Sequence, residues 1–265
     1  MDVWKAVVVG VVQGLSEFLP ISSSGHIALT QELLGMNKLN TQPDITFELV
    51  LHIGTLLSVV IYFRRRLLDL FLGLFQAHRT EERKTILWLL LATVPATAAY
   101  LLFKDFFEGA YDRPVLVGVF LLATGAILLL PKWIRAKERE FGLKQALWMG
   151  VAQAFAVLPG ISRSGSTITA GLMSGAQPAK AAEFSFLMFL PAIGGGMLLK
   201  ADALMKIAQS DAGAAYGAGF VAAFVSGIFA VYLVLAAIKR GKLEYFAYYC
   251  FMAGLAAILY FSLAR

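Results

Sequence analysis

Charge and cysteine are the two things this 265-residue chain has little of. Only 15% of its residues are charged against 59% hydrophobic, and the mean hydropathy is +0.73. A water-soluble domain carries roughly a quarter charged residues and is about half apolar, because water must solvate its surface. The shortage of charge therefore excludes a soluble globular protein, and the surplus of apolar side chains must be solvated by lipid. The single cysteine, Cys250, sits inside an apolar run, so disulfides within the chain are excluded too. The formal net charge of +6 would suit nucleic acid. The Lys and Arg residues, however, lie in short connections between apolar runs, where membrane topology puts them. No nucleic-acid partner is expected. Met1-Asp2-Val3-Trp4-Lys5 has one positive charge and no small-residue cleavage site behind its apolar run, so a removed signal peptide is not expected.

A spanning helix needs roughly 20 mostly apolar residues. Six runs meet that requirement, at about 44–63, 85–103, 114–131, 179–200, 213–238 and 243–263. Arg64, Arg65, Arg66, Arg79, Arg83 and Lys84 follow the first run. Lys132, Arg135, Lys137, Arg139 and Lys144 follow the third, and Lys239, Arg240 and Lys242 the fifth. The other two connections are mixed, with Lys104, Asp105, Glu108, Asp112 and Arg113 in one and Lys200, Asp202, Lys206 and Asp211 in the other. This asymmetry puts the three basic connections in the cytoplasm and both termini outside.

Two further apolar segments, about 2–35 and 143–175, are broken in the middle by Pro and a Ser/Gly cluster. Each half is too short to span comfortably at ~1.5 Å per residue, so each segment reads as a re-entrant hairpin. Its broken backbone must face protein or a wet cavity. The segments echo each other at a constant offset. Gly10-Val11-Val12-Gln13 matches Gly150-Val151-Ala152-Gln153, and Ser22-Ser23-Ser24-Gly25 matches Ser162-Arg163-Ser164-Gly165. Each hairpin is followed by three spans, an odd number, so the second repeat enters the membrane inverted and the broken tips can meet. The expected fold is all-α: repeat 1 over 1–140 and repeat 2 over 141–265, forming one integrated membrane domain with six full spans.

Pro20 ends one short helix, and Ser22, Ser23 and Ser24 can cap the next. Pro159 followed by Ser162, Ser164, Gly165, Ser166 and Thr167 repeats the arrangement. Each tip offers free backbone N–H groups and the positive end of a helix dipole, which suits phosphate. Arg163 adds a planar cation with five donors. Gln13 and Glu17 share a helix face. A carboxylate beside a diphosphate needs a cation between them, so Glu17, assisted by Gln13, points to a divalent ion of the Mg²⁺ or Ca²⁺ kind. His26 is a candidate general acid or nucleophile and Ser23 a candidate nucleophile. His52, one turn after Glu48, reads as its structural partner, and Glu183 beside Lys180 reads as structural as well. Ser/Gly clusters in membrane helices commonly serve packing. That reading does not account for three ionisable groups at two matching breaks.

At these residues the sequence resembles the undecaprenyl pyrophosphate phosphatase family, the bacitracin-resistance type of integral membrane phosphatase. The resemblance rests on Gln13 to Glu17, on Pro159-Gly160-Ile161-Ser162-Arg163-Ser164-Gly165-Ser166-Thr167, and on His26 after Ser22-Ser23-Ser24-Gly25. It extends from about residue 3 to the C-terminus. It implies removal of the terminal phosphate of undecaprenyl diphosphate in the bacterial cytoplasmic (inner) membrane, supplying the carrier for peptidoglycan synthesis. The site is then expected to open toward the periplasm. Ser23 attacking with His26 as base and direct assistance by His26 both stay open. A lipid translocase using the same anion site is the alternative, since opposed broken helices are also a transporter architecture. Membrane lipids are expected neighbours, and a homodimer is admitted but not required.

Overall fold

The computed structural model describes residues 1–36, 45–76, 78–111, 113–134, 137–199 and 212–263. The start of the first expected span at 44, and the loop residues Asp112, Arg135, Lys200, Asp202, Lys206 and Asp211, lie outside them. Among the described residues the regular structure is helical, with one isolated bridge between Arg139 and Ala176.

The first break falls where proline demands it. α1 (Val3–Phe18) stops at Leu19, whose ψ of 136° is the extended conformation forced on a residue before proline. The chain turns through Ser22 at φ 74° and starts α2 (Ser23–Leu33). The second break follows α8 (Leu143–Phe155), turns through Gly160 at φ 99° and starts α9 (Arg163–Met173). α2 and α9 are each 11 residues long and begin with the same cap: Ser22 Oγ accepts from the Gly25 N–H, and Ser162 Oγ from the Gly165 N–H.

The remaining helices are α3 (Ile45–Tyr62), α4 (Arg64–Phe75), α5 (Thr80–Leu102), α6 (Lys104–Tyr111), α7 (Pro114–Trp133), α10 (Pro178–Leu199), α11 (Gly213–Lys239) and α12 (Glu244–Leu263). Four of them, α5, α7, α11 and α12, are long and apolar enough to cross a membrane. α3 and α4 meet at a 78° bend and add a fifth span if counted together. α10 is 22 residues long but is not among these, so four or five of the six expected spans are reproduced. Leu90 and Val94 on α5, Val225 and Phe229 on α11, and Leu255 and Leu259 on α12 are exposed. An apolar exterior of this kind is solvated by lipid, and the protein is a multi-pass helical membrane protein.

The two halves are crossed. α1 makes its most extensive contact with α11, and α8 makes its own with α5, so each broken pair leans on a helix of the other half. α3 also packs on α11, α10 on α5, and α7 on α12. Close approach requires glycine at matching points: a Cβ on Gly10 would run into the Gly219 carbonyl, and one on Gly150 into the Ala92 backbone. Beneath the breaks, Phe18 sits edge-on to both Phe186 and Phe189, at 5.7 Å between ring centroids.

Candidate active site

Hydrogen bonds between the breaks hold them together. Ser24 Oγ accepts from the Gly160 N–H (3.4 Å), and Ser164 Oγ donates to the Leu19 carbonyl (3.3 Å). Thr124 Oγ1 on α7 donates to the Gly160 carbonyl (2.8 Å) and accepts from the Ser162 N–H (3.0 Å). Cys250 Sγ on α12 reaches the Pro20 carbonyl at 3.8 Å. These contacts satisfy backbone groups that the breaks would otherwise leave unpaired in a dry interior.

Glu17 is the centre of the cluster, with only 5% of its side chain exposed. Its Oε1 accepts from Arg163 Nη2 at 2.6 Å. Its Oε2 accepts from Ser23 Oγ at 2.8 Å and from Gln13 Nε2 at 3.1 Å, and faces His52 Nε2 at 3.8 Å. A buried carboxylate without a partner costs several kcal/mol, so the guanidinium is a condition of its being there. Arg163 also donates to the Ser185 carbonyl (3.5 Å) and lies over the Phe189 ring, with Cζ 4.5 Å from the centroid. Its side chain stays 16% exposed. Ser23, Ser24 and His26 are half-buried as well, whereas Ser22, Ser162 and Ser164 are buried. The half-buried members thus keep some exposure, and the buried ones support them.

Ser23 and Arg163 are the first residues of α2 and α9, and both reach Glu17. His26 turns elsewhere. Its Nδ1 lies 2.8 Å from the Ser22 carbonyl, which can only accept, so Nδ1 carries the proton there. Nε2 then takes the Tyr249 hydroxyl hydrogen at 2.8 Å, and the two rings stack at 5.5 Å between centroids. Thr167 Oγ1 bonds to Ser185 Oγ (2.6 Å) and to the Arg163 carbonyl (2.8 Å), supporting the helix start from behind. Ser22 and Ser162 act as caps, Gly165 supplies a capping N–H, and Ser166 Oγ is buried with no partner among the described residues.

The contact of His52 with Glu17, and the residues Tyr249, Ser185 and Thr124, escape the sequence reading. His52 is tied to Glu48 as expected from the spacing, but through the backbone: Nδ1 donates to the Glu48 carbonyl at 2.8 Å and leaves Nε2 facing Glu17. Only Tyr249 carried a detectable signal, a phenol within an apolar run. Glu183 is held by Arg66 (2.9 Å) and Lys180 (3.3 Å), in keeping with the structural role read for it.

Among the described residues, no group of three or more His, Cys, Asp or Glu side chains is arranged to hold a metal. An all-protein cage is therefore absent there. A bridged ion is a different case, because Mg²⁺ is commonly bound by one or two carboxylates together with substrate phosphates. Gln13 Oε1 is buried and, among the described residues, unpartnered, while its Nε2 donates to Glu17. An orphan oxygen and a carboxylate fit an ion completed by substrate.

A multi-pass helical protein that gathers a serine, a carboxylate and a guanidinium at two apposed helix starts belongs to the class of membrane proteins that handle an anionic group inside the bundle. Residues 6–256 match the family model for Bacitracin resistance protein BacA, and the chain belongs to that family. It is 41% identical to the undecaprenyl-diphosphatase of Salinibacter ruber, over 96% of this chain and 97% of that protein. It is also 39% identical to the undecaprenyl-diphosphatase of Christiangramia forsetii over 98% of both chains. With that of Syntrophotalea carbinolica it shares 40% over 96% of this chain and 97% of the other.

Proposed function

We propose that the protein is an undecaprenyl-diphosphatase, converting undecaprenyl diphosphate to the monophosphate and inorganic phosphate. The observation that carries the reading is the Ser23–Glu17–Arg163 cluster at the two helix starts. Family membership and the near full-length likeness to undecaprenyl-diphosphatases support it.

Ser23 Oγ already donates to Glu17, so Glu17 is the base that takes its proton. Oγ attacks the terminal phosphorus, the bridging P–O bond breaks, and the lipid monophosphate leaves. Water then cleaves the phosphoserine and releases phosphate. Arg163 and the positive end of the α9 dipole hold the diphosphate and offset the charge that develops on it. His26, bonded to Tyr249 rather than to Ser23, takes the remaining role of general acid in its imidazolium form, in which Nε2 also carries a proton. Glu17 and Gln13 Oε1 would hold the divalent ion, Mg²⁺ or Ca²⁺ by donor class. When bound, such an ion supplies Lewis-acid neutralisation of the diphosphate.

The crossed packing of α1 on α11 and α8 on α5 supports the finer architecture: two inverted repeats, 1–140 and 141–265, six full spans and two re-entrant hairpins. With the basic connections inside, the first hairpin enters from the periplasm of the inner membrane and the cavity opens there. Cysteines at Gly109 and Lys242 should then label from opposite sides, and labelling from one side would overturn this orientation. The activity itself is tested by inorganic phosphate release from a long-chain prenyl diphosphate by the purified protein, with and without a chelator. Release that the chelator abolishes is expected, and no release with any divalent ion would overturn the assignment.

A further inference from the structure

His52 has two nitrogens in fixed circumstances. Nδ1 donates to the Glu48 carbonyl at 2.8 Å, so in the neutral ring Nε2 bears a lone pair. That lone pair looks at Glu17 Oε2 across 3.8 Å, with 27% of the imidazole exposed. Two acceptors facing each other at this separation attract only when a proton or a metal ion lies between them. Gln13 Oε1, buried and unpartnered among the described residues, adds a third acceptor on the same side of Glu17's helix.

We infer that His52 Nε2 is a ligand of the cation site, completing a donor set with Glu17 Oε2 and Gln13 Oε1. The inference deepens the proposed function and rests on its divalent ion. Bonds from imidazole nitrogen and carboxylate oxygen to a first-row ion are about 2.0–2.2 Å, so donors up to ~4.2 Å apart can share one ion, and 3.8 Å is within reach. A metal-bound imidazole almost always donates its other N–H to a carbonyl or carboxylate, the arrangement the Glu48 carbonyl provides. A nitrogen in the set also changes which ion is preferred. Mg²⁺ and Ca²⁺ favour oxygen donors, whereas imidazole favours transition ions. The site should therefore take Mn²⁺ more tightly than Ca²⁺, by about tenfold or more.

The test uses the full chain in detergent, with Mn²⁺ as the probe. Pulsed EPR of bound Mn²⁺ should display coupling to a ¹⁴N nucleus, replaced by the ¹⁵N pattern when histidine alone is labelled. This measurement needs no variant and so does not depend on one folding. In His52→Gln the histidine coupling should vanish and the Kd for Mn²⁺ should rise about 10–100-fold, while the Kd for Ca²⁺ stays within about threefold. Bound Mn²⁺ without histidine coupling, in a protein whose phosphate release still depends on divalent ions, would overturn the His52 ligand and leave the phosphatase reading standing. Chelator-insensitive phosphate release with no Mn²⁺ bound would overturn the cation site as a whole. Absence of release with all ions would instead sink the proposed function.

Discussion

Arg163→Lys separates what the guanidinium does for folding from what it does for the reaction. The arginine makes three distinct contacts: Nη2 on Glu17 at 2.6 Å, Nη1 on the Ser185 carbonyl at 3.5 Å, and its plane over Phe189 at 4.5 Å. Lysine keeps a charge that can serve Glu17, so the buried carboxylate is not stranded, and the loss of about 3–5 kcal/mol expected for a broken buried pair is avoided. It gives up the carbonyl bond, worth about 1 kcal/mol, and the stacked face, worth about 0.5–2 kcal/mol. At roughly 2–4 °C per kcal/mol, the melting midpoint in detergent should fall by about 5–10 °C. Catalysis should suffer more, because one cation can no longer grip Glu17 and fork onto a phosphate at once. Loss of a donor aimed at developing charge costs about 2.7–4 kcal/mol, a fall of about 10²–10³ in kcat for phosphate release. The two measurements are made on the same preparation below its melting midpoint. Turnover within threefold of wild type would refute the reasoning, and so would activity lost only in step with unfolding.

Ser23→Ala should leave the protein folded, since Ser22 carries the cap, yet reduce phosphate release by at least about a thousandfold. Residual turnover within tenfold would make water the nucleophile. Tyr249→Phe keeps the stacked ring but removes one hydrogen bond from His26, and kcat should fall about 2–10-fold with an altered pH profile and an unchanged melting midpoint. An unchanged profile would detach Tyr249 from the proton step. Gly150→Val, driven against the Ala92 backbone, should cost about 1–3 kcal/mol of stability, whereas Gly109→Val, with nothing nearby, should be neutral within about 0.5 kcal/mol in the same thermal assay.

Much of this was legible from local spacing. The breaks at Pro20 and Pro159, the serine caps and the Gln13/Glu17 face all follow from rules that reach four residues or fewer, and the structure has them where the sequence puts them. What local spacing leaves out are contacts across the fold. Ser23 and His26 are near neighbours in sequence, but one turns to Glu17 and the other to Tyr249, 223 positions away. His52 was matched to Glu48 because helical spacing connects them, and nothing local reveals that its other nitrogen meets α1. The bend between α3 and α4 lies beside a run of arginines that hydropathy reads only as the end of a span.

The crossing of the halves has a consequence for biosynthesis. α1 leans on α11, and Glu17 is neutralised by Arg163, which lies in the second half of the chain. At roughly 5–20 residues per second, Arg163 is translated about seven to thirty seconds after Glu17, and the end of α11 later still. Until then the first half holds a carboxylate without its cation and a glycine-lined face without α11 to cover it. The newborn chain must therefore park its first hairpin near water or within the insertion machinery, and it gains its reactive centre only when its second half arrives.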